Sequence, residues 1–213
     1  IIRGRLIQTI KNKMHHTPWD STSKYYEDRA EEYLARTANV DMGSVYEPFL
    51  AHIPSGGEIL DAGCGPGRDT LAFLKKGFRV TAFDASSKMV EMASRQTGLV
   101  VAQMRFQDLS YDSEFDGIWA CASLLHVPST EIDNVLLKLS HALKPGGFWY
   151  MSFKEGYGER VEDGRRFLDL TEASLKTKLG SIHGISIIRI WSCEDQAGRV
   201  GIRWVNGLVR RQS

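Results

Sequence analysis

Twelve residues, Glu58 to Asp69 (E-I-L-D-A-G-C-G-P-G-R-D), restrict what this chain can fold into more than any other stretch. Ile59 and Leu60 read as a short buried strand that ends at Asp61, and Gly63, Gly65 and Gly67 then interrupt any regular element. Glycine turns tightly and lets the backbone lie against a ligand where a β-carbon would collide. Arg68 to Lys76, with Leu71, Ala72, Phe73 and Leu74, follows as a helix stopped by Gly77. Strand, glycine loop and helix in that order open a βαβ unit and place a nucleotide-like cofactor at the loop.

The next segment, F-R-V-T-A-F-D, alternates as a strand and ends in Asp84, 21 residues beyond Gly63. An acid at that spacing accepts hydrogen bonds from two ribose hydroxyls. The glycines themselves run G-x-G-x-G, with Arg68 where the dinucleotide fingerprint places its third, close-packing glycine. The pattern therefore favours an adenosyl cofactor without a pyrophosphate.

These residues resemble motif I of the class I S-adenosylmethionine-dependent methyltransferases, matched here by Leu60-Asp61-Ala62-Gly63-Cys64-Gly65-Pro66-Gly67. Phe106-Gln107-Asp108-Leu109 is similar to the segment whose acid contacts the adenine amino group. Phe115 to Cys121 resembles the fourth strand and Leu143-Lys144-Pro145-Gly146-Gly147 the turn before the fifth. Four ordered matches over roughly residues 58 to 153 are far more specific than one. More loosely, the chain resembles bacterial small-molecule methyltransferases grouped with the tellurite-resistance enzymes.

The resemblance implies an α/β fold: a Rossmann-like, doubly wound, mixed seven-stranded sheet closed by a C-terminal antiparallel hairpin, with helices on both faces and an N-terminal helical lid. It also implies S-adenosyl-L-methionine as cofactor. The cofactor-binding set carried over is Tyr33, Asp61, Ala62, Gly63, Cys64, Gly65, Gly67, Arg68, Asp84, Ala85, Gln107, Asp108, Leu109, Ala120 and Cys121.

Residues 14–213 read as one domain: lid helices to residue 53, a cofactor-binding core over 54–153, and a substrate-side insertion with closing strands over 154–213. The acid-free first thirteen residues read as a basic extension upstream of a native start at Met14, or alternatively as a short amphipathic helix. Ser21 to Arg36 repeats Tyr26, Ala30, Tyr33 and Leu34 on one helical face, and a second helix is expected from Met42 to His52 with Asp41 as its N-cap. Lys154 to Phe167 is glycine-rich and charged and reads as an insertion passing the active-site mouth. A helix is expected from Glu172 to Leu179 behind Thr171, then strands at Ile185 to Ile190 and Gly198 to Val209.

Ligands of open α/β sheets sit at the carboxyl ends of the strands, so Ala120 to Pro128 (A-C-A-S-L-L-H-V-P) lines the reaction centre. It lacks the N-P-P-Y or D-P-P-Y motif of amine-clamping methyltransferases. His126 is the general-base candidate, its imidazole titrating near neutrality, with pocket shaping as the competing role. Ser123 either orients substrate or closes a turn. Tyr26, Lys154, Arg165, Arg166 and Arg199 complete the candidate substrate set; the cations, with Arg203, make a carboxylate, phosphate or oxyanion pocket if they converge, or pair with local acids if they do not.

A net charge of +1 gives no electrostatic reason for a nucleic-acid partner. No apolar run reaches membrane-spanning length. Cys64, Cys121 and Cys193, odd in number and without C-x-x-C, suggest a reducing compartment, the cytoplasm, and no metal site. The partner expected is a small-molecule methyl acceptor, with no obligate protein partner. Three function classes result: a methyltransferase (EC 2.1.1.-) for a small, anionic acceptor; a methyltransferase-like protein that binds cofactor without turnover; and an NAD-dependent dehydrogenase.

Overall fold

The computed structural model describes residues 18–212, so the expectations for residues 1–13 and for Met14 lie outside the described residues. Its centre is a parallel β1 (Glu58–Ala62), β2 (Arg79–Asp84), β3 (Ala102–Gln103) and β4 (Phe115–Ala120), extended by β5 (Leu143–Lys154). Two antiparallel strands, β8 (Ile185–Glu194) and β9 (Arg203–Arg211), close it, giving the order β3-β2-β1-β4-β5-β9-β8. This is the expected mixed seven-stranded sheet with its C-terminal hairpin. The order reverses between β1 and β4, where a crevice opens at the carboxyl ends of the strands.

Neighbouring residues of the central strands are buried on opposite faces, as a sheet covered on both sides demands. Ile59, Trp119 and Tyr150 pack with Phe49 and Phe73 on one face; Leu60, Ile118 and Trp149 pack with Val135, Leu139 and Leu175 on the other. The first set comes from helices α3 (Gly43–Leu50) and α4 (Arg68–Lys75), the second from α6 (Ile132–Ala142) and α7 (Glu172–Gly180). Trp119 stacks on Tyr150 at 4.1 Å between ring centres and meets Phe49 at 5.3 Å. Thr171 caps α7 as expected, and the structure adds a reciprocal box with Ser174.

Several boundaries differ from expectation. The first helix is two, α1 (Pro18–Asp28) and α2 (Ala30–Thr37), parted at Arg29 with φ −123° and ψ 24°; nothing in the structure explains the break. Asp41 does accept the Gly43 N–H at 2.8 Å, but α3 starts at Gly43 and ends at Leu50. The turn expected before β5 is instead its irregular first stretch, where the register against β4 shifts. Residues 198–202 are not strand, because Gly198 and Gly201 both have positive φ and the Asp195 carboxylate gathers the loop.

The insertion expected as a loop is a hairpin, β6 (Gly158–Glu162) and β7 (Arg165–Asp169), turned by Asp163 and Gly164 at φ 51° and 77°. Positive φ at both central residues is the two-residue hairpin turn that Asp-Gly favours. That dipeptide, flanked by V-E and R-R-F, was the overlooked signal.

Gly117 on β4 lies directly beneath α3: a Cβ there would sit 2.7 Å from Phe49 Cζ and 2.6 Å from Ile53 Cδ1. The Phe49 ring is fixed among other aromatics. We expect Gly117→Ala to lower unfolding stability by about 1–3 kcal/mol in urea titration; an unchanged midpoint would show that α3 moves away freely.

Candidate active site

The glycine loop is held from behind. The N–H groups of Gly63 and Cys64 both donate to the Phe83 carbonyl, at 3.0 and 2.9 Å, and the Gly65 N–H donates to Asp84 Oδ2 at 2.9 Å. A Cβ at Gly63 would lie 2.5 Å from Ser123 Cβ, and one at Gly67 3.1 Å from Ala93 of α5 (Ser87–Thr97), so two glycines serve close packing of neighbouring segments. Asp84 also accepts the Ser86 N–H at 2.9 Å, and burial holds its carboxyl above the usual carboxylate range.

A cavity of about 190 Å³ opens on this loop, lined by Gly63, Cys64, Gly65, Asp84, Ala85 and Gln107 together with lid and β4 residues. A second, of about 290 Å³, is lined by Lys154, Arg165, Phe167 and Arg199. Tyr26, Tyr33, Arg68, Cys121 and His126 line both, so the two are adjoining chambers of one cleft. Ser123 lines the first, with its hydroxyl donated to the Ala62 carbonyl at 2.7 Å.

Other expected site residues lie behind the wall. Asp61 is buried, takes the Thr70 hydroxyl at 2.5 Å, and is held well above the usual carboxylate range by burial and by neighbouring Asp69. Ala62, Leu109 and Ala120 belong to the core. Gly67 caps α4 outside the lining. Asp108 is also absent from the lining: its carboxylate, 49% exposed, is gripped by Arg105 at 2.9 and 3.0 Å. Gln107 is the acceptor that remains on that turn. Its Nε2 donates to Glu131 at 2.8 Å, while its Oε1 is buried without a partner.

The cations divide. Lys154 and Arg165 reach the second chamber with side chains 16% and 15% exposed. Arg199 lines it too, but its Nε and Nη2 bind Asp195 at 3.0 and 2.6 Å. Arg166 does not line either chamber and pairs with Glu159, and Arg203 pairs outside with Glu155 and Glu194. Neither cleft cysteine is a thiolate at neutral pH, since burial raises the Cys64 thiol and pushes Cys121 up to about 12.

Sequence reasoning missed Asp69, which organises the site. Its carboxylate accepts Arg68 Nε at 2.6 Å, Arg68 Nη2 at 3.0 Å, the Tyr46 hydroxyl at 2.6 Å and Trp119 Nε1 at 2.8 Å. Arg68 is its neighbour, but Tyr46 and Trp119 lie 23 and 50 residues away, so no local pattern marks the cluster. The lid is likewise fixed through scattered contacts: Glu27 accepts the Ser87 N–H at 2.6 Å, and Thr22 Oγ accepts the Arg166 N–H at 3.0 Å. His126 Nδ1 lies 2.6 Å from the Arg166 carbonyl and Nε2 lies 2.8 Å from the Tyr26 hydroxyl. Burial, with Arg165 and Lys154 nearby, lowers the His126 pKa to about 4.

The cleft at the carboxyl ends of a seven-stranded α/β sheet defines a Rossmann-like cofactor-binding protein. Residues 59–147 match the family described as "Methyltransferase domain". Over that stretch the chain is similar to the S-adenosylmethionine-dependent methyltransferases. The 27-O-demethylrifamycin SV methyltransferase of Amycolatopsis mediterranei (strain S699) is 27% identical over 67% of this chain and 51% of its own length. The S-adenosyl-L-methionine-dependent Diels-Alderase iccD of Talaromyces variabilis is 35% identical over 45% of this chain and 35% of its own. Among solved structures, the 1,6-didemethyltoxoflavin-N1-methyltransferase of Burkholderia thailandensis superposes with a TM-score of 0.72 at 23% identity, covering 89% of this chain and 85% of that one. The chain spans 35% to 54% of the length of the first curated relatives it matches. Among the described residues no helix is long and apolar enough to cross a membrane, and no three potential metal ligands gather.

The depressed His126 pKa has a stability consequence. An unfolded histidine takes up its proton near pH 6.5 and the folded one near 4, so between those values the unfolded state binds more protons. The stabilisation from keeping His126 neutral is complete above pH 6.5 and is lost as pH falls toward 4, by up to roughly 3 kcal/mol. We expect His126→Gln to flatten the drop in urea-unfolding stability between pH 7 and pH 5; an equal drop in both proteins would rule out a buried neutral imidazole.

Proposed function

We propose that the chain transfers a methyl group from S-adenosylmethionine to a small, anionic acceptor, the cofactor occupying the glycine-loop chamber and the acceptor the chamber beside it. The observation that carries this reading is the pair of chambers sharing Tyr26, Tyr33, Arg68, Cys121 and His126, one floored by the family's cofactor loop and the other by Lys154 and Arg165.

The residues fit the cofactor. Asp84 would hold the ribose hydroxyls, its carboxylate already fixed by the Gly65 and Ser86 N–H groups. The buried, unpartnered Gln107 Oε1 is an acceptor suited to the adenine amino group. Tyr33 lies against the loop, 3.8 Å from where a Gly65 Cβ would stand. When bound, the cofactor supplies an activated electrophilic methyl with a neutral leaving group. What remains for the chain is to align a nucleophile and exclude water, a task for the lid tyrosines, with the lid tied to α5 through Glu27 and to β7 through Thr22.

The acceptor is a small molecule in this reading, because the second chamber is bounded by the lid, the β6–β7 hairpin and the 195–202 loop. The match over residues 59–147 favours methyl transfer over the nicotinamide dehydrogenase. Binding without methyl transfer keeps one support: a relative named as a Diels-Alderase is 35% identical over 105 residues.

Calorimetric titration with S-adenosylmethionine, S-adenosylhomocysteine and NAD tests the reading. We expect the adenosyl pair to bind and NAD not to, and Asp84→Ala to weaken adenosyl binding by at least about tenfold, the loss of a charge-assisted hydrogen bond or more. NAD binding alone would sink the proposal. Adenosyl binding without methyl transfer to a panel of small hydroxy, amino and thiol acids would leave the non-transferring reading.

A further inference from the structure

The hydrogen bonds around His126 fix where its protons are. A carbonyl only accepts, so the 2.6 Å contact from Nδ1 to the Arg166 oxygen places a hydrogen on Nδ1. The neutral ring then offers a lone pair at Nε2, and the Tyr26 hydroxyl 2.8 Å away donates to it. Both ring nitrogens are thereby taken; of the Tyr26 Oη lone pairs one is engaged by the Arg165 side chain and the other remains to accept a proton, on a residue that lines both chambers. Resting on the methyltransferase reading above, we propose that Tyr26 takes the proton from a hydroxyl-bearing acceptor and hands its own to His126, and that an anionic group on that acceptor, seated by Lys154 and Arg165, switches this relay on.

The proton count closes. The acceptor O–H would break, its proton going to Tyr26 Oη and its electron pair staying on the acceptor oxygen to form the bond to the methyl carbon, while the sulfonium carbon–sulfur bond breaks and its electron pair goes to the departing neutral thioether. The Tyr26 proton passes to His126 Nε2, leaving an imidazolium whose Nδ1–H still donates to Arg166, and that proton leaves to solvent when product departs. Tyr26 is the catalytic residue and His126 a positioning residue behind it.

The cations explain the switch. Lys154 Nζ stands 4.1 Å and the Arg165 guanidinium 5.0 Å from the centre of the Phe167 ring, which the His126 ring meets at 5.1 Å. Their carboxylate partners, Glu162 and Asp163, are each 3.5 Å away and 50% and 64% exposed. Arg160, 4.6 Å from the same Phe167 ring, is matched by the buried Asp169, so the balance of buried charge beside the imidazole is positive. Arg165 Nε is buried with no hydrogen-bond partner, a donor suited to an anion. With the chamber free of anion, these charges and burial keep His126 a poor proton acceptor at neutral pH. A carboxylate or phosphate between Lys154 and Arg165 offsets them and raises its proton affinity. A neutral alcohol of the same shape does not.

The test is a pH titration of the His126 ring by 15N NMR in the full chain saturated with S-adenosylhomocysteine, alone and with 4-hydroxybenzoate, inorganic phosphate or neutral 4-hydroxybenzyl alcohol. We expect the neutral Nδ1–H form at pH 7, a midpoint raised by at least about one pH unit by either anion, a tenfold gain in proton affinity, and no rise with the alcohol. The double variant Lys154→Met, Arg165→Met raises the midpoint without any anion. Tyr26→Phe leaves S-adenosylhomocysteine affinity and the Nδ1–H form intact and removes the hydrogen-bond shift at Nε2. An Nε2–H ring, or a midpoint that neither anion nor the double variant moves, overturns the relay. If S-adenosylhomocysteine itself fails to bind, the methyltransferase reading falls first.

Discussion

Everything around the cleft hangs on the carboxylate of Asp69. A buried charge is tolerated only when its lone pairs are filled, and here the first turn of α4, a tyrosine of α3 and a tryptophan of β4 fill them. Arg68 neutralises it and keeps it ionised despite burial. One group thus clamps a helix of the expected lid region, the cofactor loop's helix and the central sheet into a single arrangement. Asp61, one strand away, is then left as the protonated neighbour, because two adjacent buried carboxylates do not both ionise readily.

The contacts of α1 and α2 are of a different kind. Glu27 acts as an external cap for α5, adding to Ser86, which accepts the Met89 N–H at 3.2 Å. Anions are favoured at a helix N-terminus, so this contact is electrostatically matched. The lid therefore docks on α5 by charge and on β7 and His126 by Thr22 and Tyr26, two neutral hydroxyls.

Much of this was legible in the chain itself. The order of strand, glycine loop and helix, the acid at Asp84 and the alternation of the last strands were enough for the sheet and the cofactor chamber, since each rests on residues close in sequence. Less legible was whatever depends on distant segments meeting. Asp69 reads as an ordinary helix-start acid until Tyr46 and Trp119 arrive. Asp108 matched a motif, yet Arg105, three residues before it, holds it outside the cleft. The charged insertion looked irregular because its glycines drew attention from the Asp163-Gly164 turn. Lys154 and Arg165 converge only because that hairpin folds back over β5, which no periodicity encodes.

The hairpin's attachment has a consequence for how such a protein diversifies. Arg166 joins the lid through its backbone N–H and His126 through its carbonyl, and both are main-chain groups that every residue except proline, which has no N–H, provides. The side chains of Arg166 and of the exposed β6 positions can therefore be exchanged by mutation while these main-chain ties stay in place, whereas Phe167 and Leu168 are held by the core. A lineage carrying this fold can vary the exposed positions of that hairpin while the glycine loop and Asp84 stay as they are.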